Sequence, residues 1–282
     1  GMTKLSQPSV VYRIGRLEAE GYIAKYDAII NHSKFPFHKE FYLVKIPAER
    51  VTELEEHFLT NKQVCWAVRL LNDHNYLLYC WFKSTEEKKS FQERLDPFRY
   101  EHYTFQDLML DRISLFDTPV NIRLPAKKDK TLKLDSIDTR LMEVLADGNA
   151  RTSIRQLSQQ MNIEYDTLLY RFKRLVQANY LPLFIAQPGH KRFFVQIDYI
   201  ILQSPLQFLP LFSRLTTLRQ VGYLIKLSNS CYLTQILTQS FEEYKMVLDR
   251  IFRMLPEYQN ELRIFNTRDW LFINRYPLGW LV

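Results

Sequence analysis

The stretch Leu134–Leu181, LDSIDTRLMEVLADGNARTSIRQLSQQMNIEYDTLLYRFKRLVQANYL, decides the fold of one part of the chain. Its apolar residues first recur at helical spacing, which predicts a helix from Ser136 to Ala146. Asp135 stands just before this segment and can cap it, and the run 147–149, Asp-Gly-Asn, can end it.

Two further helices are predicted in the same stretch. Ser153 with Gln156 three residues on has the pattern of a capping box, so a second helix is expected from Ile154 to Met161. After a short turn, a third helix is expected from about Tyr165 to Ala178. Three short helices in this order are typical of a helix-turn-helix.

The third helix has two different faces. Leu168, Phe172 and Leu175 fall on one side and are expected to pack. Four residues recur at helical spacing on the other side: Thr167, Tyr170, Arg171 and Arg174. Guanidinium groups suit phosphates because their donors form a planar fork, and hydroxyl groups can reach phosphates or bases. We therefore predict that the two arginines act mainly on phosphates of duplex DNA, with Thr167 and Tyr170 nearer base edges; a solvated face is the alternative.

An internal repeat extends this pattern to the other end of the chain. At an offset of 158 residues, VVYRIGRLEAEGYI (Val10–Ile23) aligns with LLYRFKRLVQANYL (168–181), which pairs a tyrosine and two arginines. The alignment continues to Arg94 and Arg250 after two single-residue slips. A tandem duplication is therefore predicted. Only Met2–Ser6 precede the first copy of the third helix, so its helix-turn-helix is expected to be truncated, and Gly1 is typical of a residue left by an expression tag.

Both copies contribute candidate DNA contacts. The predicted set is Ser9, Tyr12, Arg13, Arg16, Arg151, Arg155, Tyr165, Thr167, Tyr170, Arg171, Lys173 and Arg174.

After each third helix, the pattern predicts four strands and two helices in the order βαββαβ. This order indicates a ferredoxin-like sandwich, in which two helices cover one face of an antiparallel sheet. The fold class is thus α+β, with two ferredoxin-like domains, one complete winged three-helix domain and one truncated one. The predicted segments are 1–33 (truncated helix-turn-helix), 34–117 (ferredoxin-like), 118–133 (linker), 134–188 (helix-turn-helix) and 189–282 (ferredoxin-like).

The quoted stretch resembles the DNA-binding half of the Lrp/AsnC family of transcription regulators, and residues 4–31 resemble the end of a second such half. The resemblance implies that the third helix enters the major groove and that the ferredoxin-like domains pair through their sheets. The family's effector loop usually carries a glycine and an aspartate, whereas the matching runs here are LNDHNY (71–76) and LSNSCY (227–232). We therefore expect that free amino acids do not bind.

The duplication further predicts an intramolecular pseudo-dimer, with the open faces of the two sheets packed together inside one chain. The run YLLYCWF (Tyr76–Phe82) fits this expectation, because it does not alternate with polar residues and a sheet buried on both faces requires such runs. Higher oligomers remain an alternative.

Composition narrows the class of protein. A net charge of +7 makes a polyanionic partner plausible. No apolar run approaches the roughly 20 residues of a membrane span, and no signal-peptide pattern opens the chain, so a cytoplasmic protein without membrane contact is expected. Cys65, Cys80 and Cys231 lack ligand spacing and are expected to be buried reduced thiols, with no metal and no cofactor.

Two alternatives to a DNA-binding regulator stay open, although a non-enzymatic regulator is the main expectation. One is an enzyme that resembles sirohaem decarboxylases, in which His32, His38 or His74 would act as a general acid or bind a tetrapyrrole carboxylate. The other is an interaction scaffold that keeps the fold without affinity for DNA.

Overall fold

A computed structural model describes residues 5–31, 34–110, 131–188, 196–204, 206–256 and 262–272. The chain divides into two compact units. The first, here called the helix-turn-helix unit, contains described residues 5–31 and 131–188. The second, the barrel unit, contains described residues 34–110 and 196–272. Most of the predicted linker lies outside the described residues.

Within its described residues, the helix-turn-helix unit has four helices and two strands. In chain order they are α1 (Gln7–Ala19), β1 (Ile23–Ile29), α4 (Ser136–Ala146), α5 (Ile154–Met161), α6 (Tyr165–Gln177) and β6 (Leu183–Pro188); the numbers missing from this series belong to elements of the barrel unit. The bounds predicted for α4 and α5 are confirmed, and α6 ends one residue earlier than expected.

The ends of these helices follow from their sequence. The Asp135 side chain accepts hydrogen bonds from the first backbone amides of α4, and Ser153 does the same for α5 in a complete capping box with Gln156. Such caps satisfy amide groups that have no partner within the helix. Past the end of α4, Gly148 has a φ of +88°, a conformation that is accessible to glycine without strain.

The unit also contains a two-stranded antiparallel sheet formed by β1 and β6, in which Tyr26 faces Ala186. The buried Asp27 carboxylate accepts a hydrogen bond from the Gly148 amide at 2.9 Å. The strand β1, which follows α1, thus pairs with β6, which follows α6.

In the part of the barrel unit that the structure describes there are eight strands and four α-helices, besides a short 3-10 helix at Ala48–Arg50. They are β2 (His38–Lys45), α2 (Val51–Thr60), β3 (Val64–Leu70), β4 (Tyr76–Phe82), α3 (Thr85–Leu95), β5 (Arg99–Leu110), β7 (Gln196–Gln203), α7 (Phe208–Leu215), β8 (Val221–Leu227), β9 (Cys231–Thr238), α8 (Phe241–Met254) and β10 (Leu262–Phe272). The α+β class and the element order β, α, β, β, α, β are thus present in each half.

The eight strands form one closed barrel in the order β3, β4, β2, β5, β8, β9, β7 and β10, which returns to β3. Within each half the first strand lies between the third and the fourth. The halves meet at two antiparallel seams, β5 with β8 and β10 with β3. These seams were not predicted. They give hydrogen-bond partners to edge strands that would otherwise expose unpaired amide and carbonyl groups.

Both faces of the central strands are buried. On the outside of the first half, Tyr42, Leu78 and Phe91 belong to a core between the sheet and the helices. On the inside, the Trp66 and Tyr199 rings stack with centroids 5.9 Å apart, so side chains from the two halves share the interior. All residues of β4 are buried, as its unbroken apolar run predicted. The three cysteines are free and buried, which confirms that expectation.

Candidate nucleic-acid interface

Three of the predicted contacts on α6 are exposed. Tyr165 and Tyr170 expose 42% and 65% of their surface, and Lys173 is exposed as well. Arg155, in the first turn of α5, is also exposed. These side chains form a surface that we call the α5–α6 face: Arg155, Tyr165, Tyr170 and Lys173. Aromatic, hydroxyl and cationic groups of this kind can contact bases and phosphates.

The two arginines of α6 are paired with acids of α4, and the Arg174 guanidinium also lies 6.0 Å from the centre of the Tyr170 ring. Arg171 donates hydrogen bonds to both Asp135 oxygens at 2.7 and 2.6 Å and lies 3.2 Å from Asp138 Oδ1. Arg174 Nη2 lies 2.5 Å from Asp138 Oδ2. The Asp138 side chain is completely buried. We call these four residues the arginine–aspartate clamp, which joins the third helix of the unit to its first.

Arg171 and Arg174 are therefore partly buried in ion pairs and not freely exposed, and contact of these two residues with phosphates stays a prediction. Helical spacing indicated the side of α6 on which they lie, but a long charged side chain turns toward a buried opposite charge that can pair with it. Burial alone raises the pKa of Asp135, but hydrogen bonds from Arg171 and the α4 backbone outweigh it and hold the pKa below its usual value. The Asp135–Arg171 pair is therefore charged at neutral pH.

Two more predicted DNA contacts are engaged within the unit. The Thr167 hydroxyl donates to Glu164 Oε2 at 2.6 Å, and the same carboxylate accepts from the Thr167 amide, so these residues cap α6. Arg151 pairs with Glu18, and its guanidinium lies 5.1 Å from the centre of the Tyr26 ring. Thr167 and Arg151 thus hold α6 and the β1 region in place.

The first-copy candidates lie on α1, which has no buried residue. The Tyr12 side chain is 71% exposed, and Arg13 is exposed too. Arg16 pairs with Glu20 one turn later at 2.8 Å. Ser9 hydrogen-bonds Ser6 at the helix start, at 2.9 Å between the two hydroxyl oxygens. DNA contact by these residues stays a prediction.

The arginine–aspartate clamp is the feature that the sequence interpretation missed. Its signal was present, since Asp135 and Asp138 are spaced by three residues and so are Arg171 and Arg174. Residues three apart share a helix face, so two such pairs on adjacent helices can meet in register.

Of the three histidines offered as alternative enzymatic residues, the structure describes two, and these lie far apart. His32 lies outside the described residues. His38 is the first residue of β2. His74 precedes Asn75, whose backbone amide donates a hydrogen bond to the carbonyl of Val44, near the other end of β2. Six residues of strand separate these positions by about 20 Å. Within the described part of the chain, no group of three or more His, Cys, Asp or Glu side chains could hold a metal ion.

Comparisons with known proteins point first to the helix-turn-helix unit. Residues 134–181 match the family model for a winged helix-turn-helix DNA-binding domain. Helix-turn-helix-type transcriptional regulators of Pyrococcus horikoshii and Pyrococcus abyssi are each 41% identical over 59 residues, which is 21% of this chain. The chain spans only 39% of the length of these curated relatives.

Among solved structures, the sirohaem decarboxylase NirDL has a similar fold, with a TM-score of 0.66 and 9% identity over 98% of this chain and 88% of that one. Escherichia coli AsnC is similar over 51% of this chain and 98% of its own, with 20% identity and a TM-score of 0.42. The family model and the curated relatives thus agree with the helix-turn-helix that the sequence predicts in residues 134–181. None of the helices in the described ranges has the length and hydropathy of a membrane span.

Proposed function

We propose that this protein is a DNA-binding transcription regulator of the Lrp/AsnC type, with α6 as its recognition helix in the major groove. The observation that carries the proposal is the capped α4–α5–α6 arrangement, which coincides with the matched winged helix-turn-helix segment 134–181. The α5–α6 face supplies the contacts: Tyr165 and Tyr170 lie nearer base edges, and Arg155 and Lys173 act on phosphates.

The barrel unit acts in this proposal as an intramolecular pseudo-dimer of two ferredoxin-like domains that arose by tandem duplication. The element bounds support this origin. Adding 158 to the residue numbers of α1 and β2 gives the bounds of α6 and β7. Adding 157 to those of β3 gives the bounds of β8, and Tyr76 in β4 and Tyr232 in β9 are 156 residues apart. Buried acids occupy one equivalent position, Glu40 in β2 and Asp198 in β7.

The runs LNDHNY and LSNSCY carry no amino-acid effector site in this proposal. In the second run, Asn229 and Ser230 both adopt positive φ, 58° and 57°. Side chains therefore occupy a turn where the family places glycine, and they hinder the approach of a ligand to the backbone.

DNA binding is tested first with a fluorescently labelled duplex of mixed sequence, titrated at several salt concentrations. Lys173→Ala should weaken binding and reduce the salt slope by about 1, because one phosphate contact is lost. Lys89→Ala is the matched control, since it removes one exposed lysine from α3 in the barrel unit. Tyr170→Ala should weaken binding to selected genomic fragments with an unchanged salt slope.

The proposal is wrong if the parent protein binds duplex DNA no more tightly than the Lys173→Ala, Tyr170→Ala double variant at moderate salt. Because both side chains are exposed, the double variant should keep the thermal stability of the parent, which separates lost contacts from lost fold.

A sirohaem-decarboxylase-like enzyme is the second candidate. Its support is the similarity of fold over nearly the whole chain, 98% at a TM-score of 0.66. Titration of the protein with an iron tetrapyrrole, followed in the Soret region, separates the two functions. A saturable spectral shift, together with no binding to DNA, would favour the enzyme.

A further inference from the structure

One lysine of β2 lies inside the barrel and not on its surface. Lys39 is only 7% exposed and is on the same side of the strand as Phe41, whose ring stacks on Tyr79 in the interior. The next residue, Glu40, is on the opposite side of the strand, where its carboxylate pairs with Lys88 of α3. The acid next to Lys39 in the sequence therefore does not pair with it.

The amine of Lys39 has a carbonyl and two aromatic rings as its neighbours. Its Nζ donates a hydrogen bond to the Phe35 carbonyl at 2.6 Å. It lies 5.6 Å from the centre of the Trp81 ring, the residue opposite on β4, and 5.9 Å from the centre of the Phe105 ring. Among the described residues, Cys65 is the one titratable neighbour that affects the pKa of Lys39, and burial raises the pKa of that thiol, which keeps it uncharged. In the described part of the barrel, the amine thus has no anionic partner.

The fold itself does not require an amine at this position. Adding 158 to the residue number gives Ile197, the equivalent position of β7 in the second half. A buried cation without an acidic partner costs free energy, whereas isoleucine at the same position does not. Burial lowers the pKa of Lys39 from 10.5 to about 8. At pH 7, about a tenth of this side chain is therefore a neutral amine, the form in which lysine is a nucleophile.

Aromatic side chains surround the amine and extend to the surface. The rings of Phe35 and Phe37 are parallel, with centroids 6.4 Å apart, and they lie 5.6 and 5.5 Å from the Trp81 ring. Phe37 is half-buried and Pro36 is exposed, so this side of the cluster borders solvent. A ligand that reaches Lys39 from this side would contact ring faces, which favour an apolar or aromatic group.

We propose that Lys39 is a nucleophilic lysine that forms an imine with an aldehyde carrying an apolar or aromatic group. The Nζ lone pair attacks the carbonyl carbon, and the nitrogen gives two protons to the carbonyl oxygen, which leaves as water while the C=N bond forms. The aromatic cluster of Phe35, Phe37, Trp81 and Phe105 binds the group that the aldehyde carries. This inference concerns the barrel unit alone and does not depend on the proposed function.

The test uses the full chain with benzaldehyde and sodium cyanoborohydride, which reduces an imine to a stable benzylamine. Peptide mass spectrometry then identifies the modified lysines and measures their rates. Lys39 should react at least about tenfold faster than Lys89, an exposed lysine of α3, because a larger fraction of its side chain is neutral. The rate at Lys39 should saturate with benzaldehyde concentration, since the aromatic cluster binds the ring before the bond forms, whereas the rate at Lys89 should rise linearly.

Lys39→Met is the matched variant, because it removes the amine and keeps an apolar chain of similar length. It should lose the saturable modification and should be at least as thermally stable as the parent, since a buried cation is removed. Lys89→Arg should leave the modification of Lys39 unchanged. The proposal is overturned if Lys39 of the folded chain is not modified, if it reacts no faster than Lys89, or if its rate does not saturate.

Discussion

His74 shows how a single residue in a turn can tie distant strands together. It lies between β3 and β4, its side chain is only 3% exposed, and its Nε2 lies 3.5 Å from Glu101 of β5. Glu101 in turn accepts two hydrogen bonds from Arg263 of β10, at 2.5 and 3.1 Å. Burial lowers the pKa of His74; Glu101 and Asp73 oppose this shift, and Arg263 and Arg99 add to it.

Stability should therefore depend on pH through His74. The unfolded chain binds a proton near the ordinary histidine pKa of 6.5, whereas the folded chain resists protonation until a lower pH. Because the unfolded state then binds more protons, the free energy of unfolding should fall as the pH drops through 6.5 and level off below the folded pKa. Urea denaturation at a series of pH values measures this fall.

His74→Gln is the variant that isolates the effect, because burial and Arg94 also lower the pKa of His57. The variant should lose part of the pH dependence below pH 6.5 but keep the part due to His57. A pH profile identical to that of the parent would contradict this account of His74.

At the scale of elements, most of the helix-turn-helix unit follows from local sequence. The Ser153 capping box and the Asp135 cap fixed the starts of α5 and α4 to the residue, because capping is a contact between near neighbours. The orientation of Arg171 and Arg174 was not predicted in this way. Periodicity tells which residues share a side of a helix, but the direction in which a long side chain turns depends on a partner in another helix.

The arginine–aspartate clamp makes Arg174→Ala strongly destabilising. Asp138 is fully buried, so the substitution leaves a buried carboxylate with fewer partners. We expect a loss of roughly 2 kcal/mol, below the 3–5 kcal/mol of fully buried pairs because the guanidinium is partly solvated. Chemical denaturation that is monitored on the helix-turn-helix unit gives the measurement.

Arg253→Ala provides the comparison, since the Arg253–Asp249 pair on α8 is exposed on both sides. Its removal should change stability by less than about 0.5 kcal/mol. If Arg174→Ala were equally mild and merely weakened DNA binding, Arg174 would act as the predicted phosphate contact and not as a structural partner of Asp138.

At the scale of the whole chain, the repeat predicted two similar halves, and the predicted order βαββαβ is present in each of them. The closed barrel could not be predicted, because the seams β5–β8 and β10–β3 join residues far apart in sequence and carry no local signal. The unbroken apolar run of β4 indicated only that both faces would be covered. The covering side chains come from the barrel interior, where Trp66 meets Phe41, Tyr79 and Tyr199.

A closed barrel, in which no strand is a free edge, should unfold in one cooperative transition. Trp66→Ala removes an aromatic side chain of the first half that stacks on Tyr199 of the second, at a cost of about 3 kcal/mol or more. Native-state hydrogen exchange should then show equal loss of protection in β4 and in β9, since neither half can unfold while the other keeps both seams. Leu71→Ala, at an exposed position after β3, should leave both strands protected. Loss of protection confined to β4 would mean that the two halves unfold independently. The two halves of the proposed intramolecular pseudo-dimer would then be too weakly coupled to unfold together.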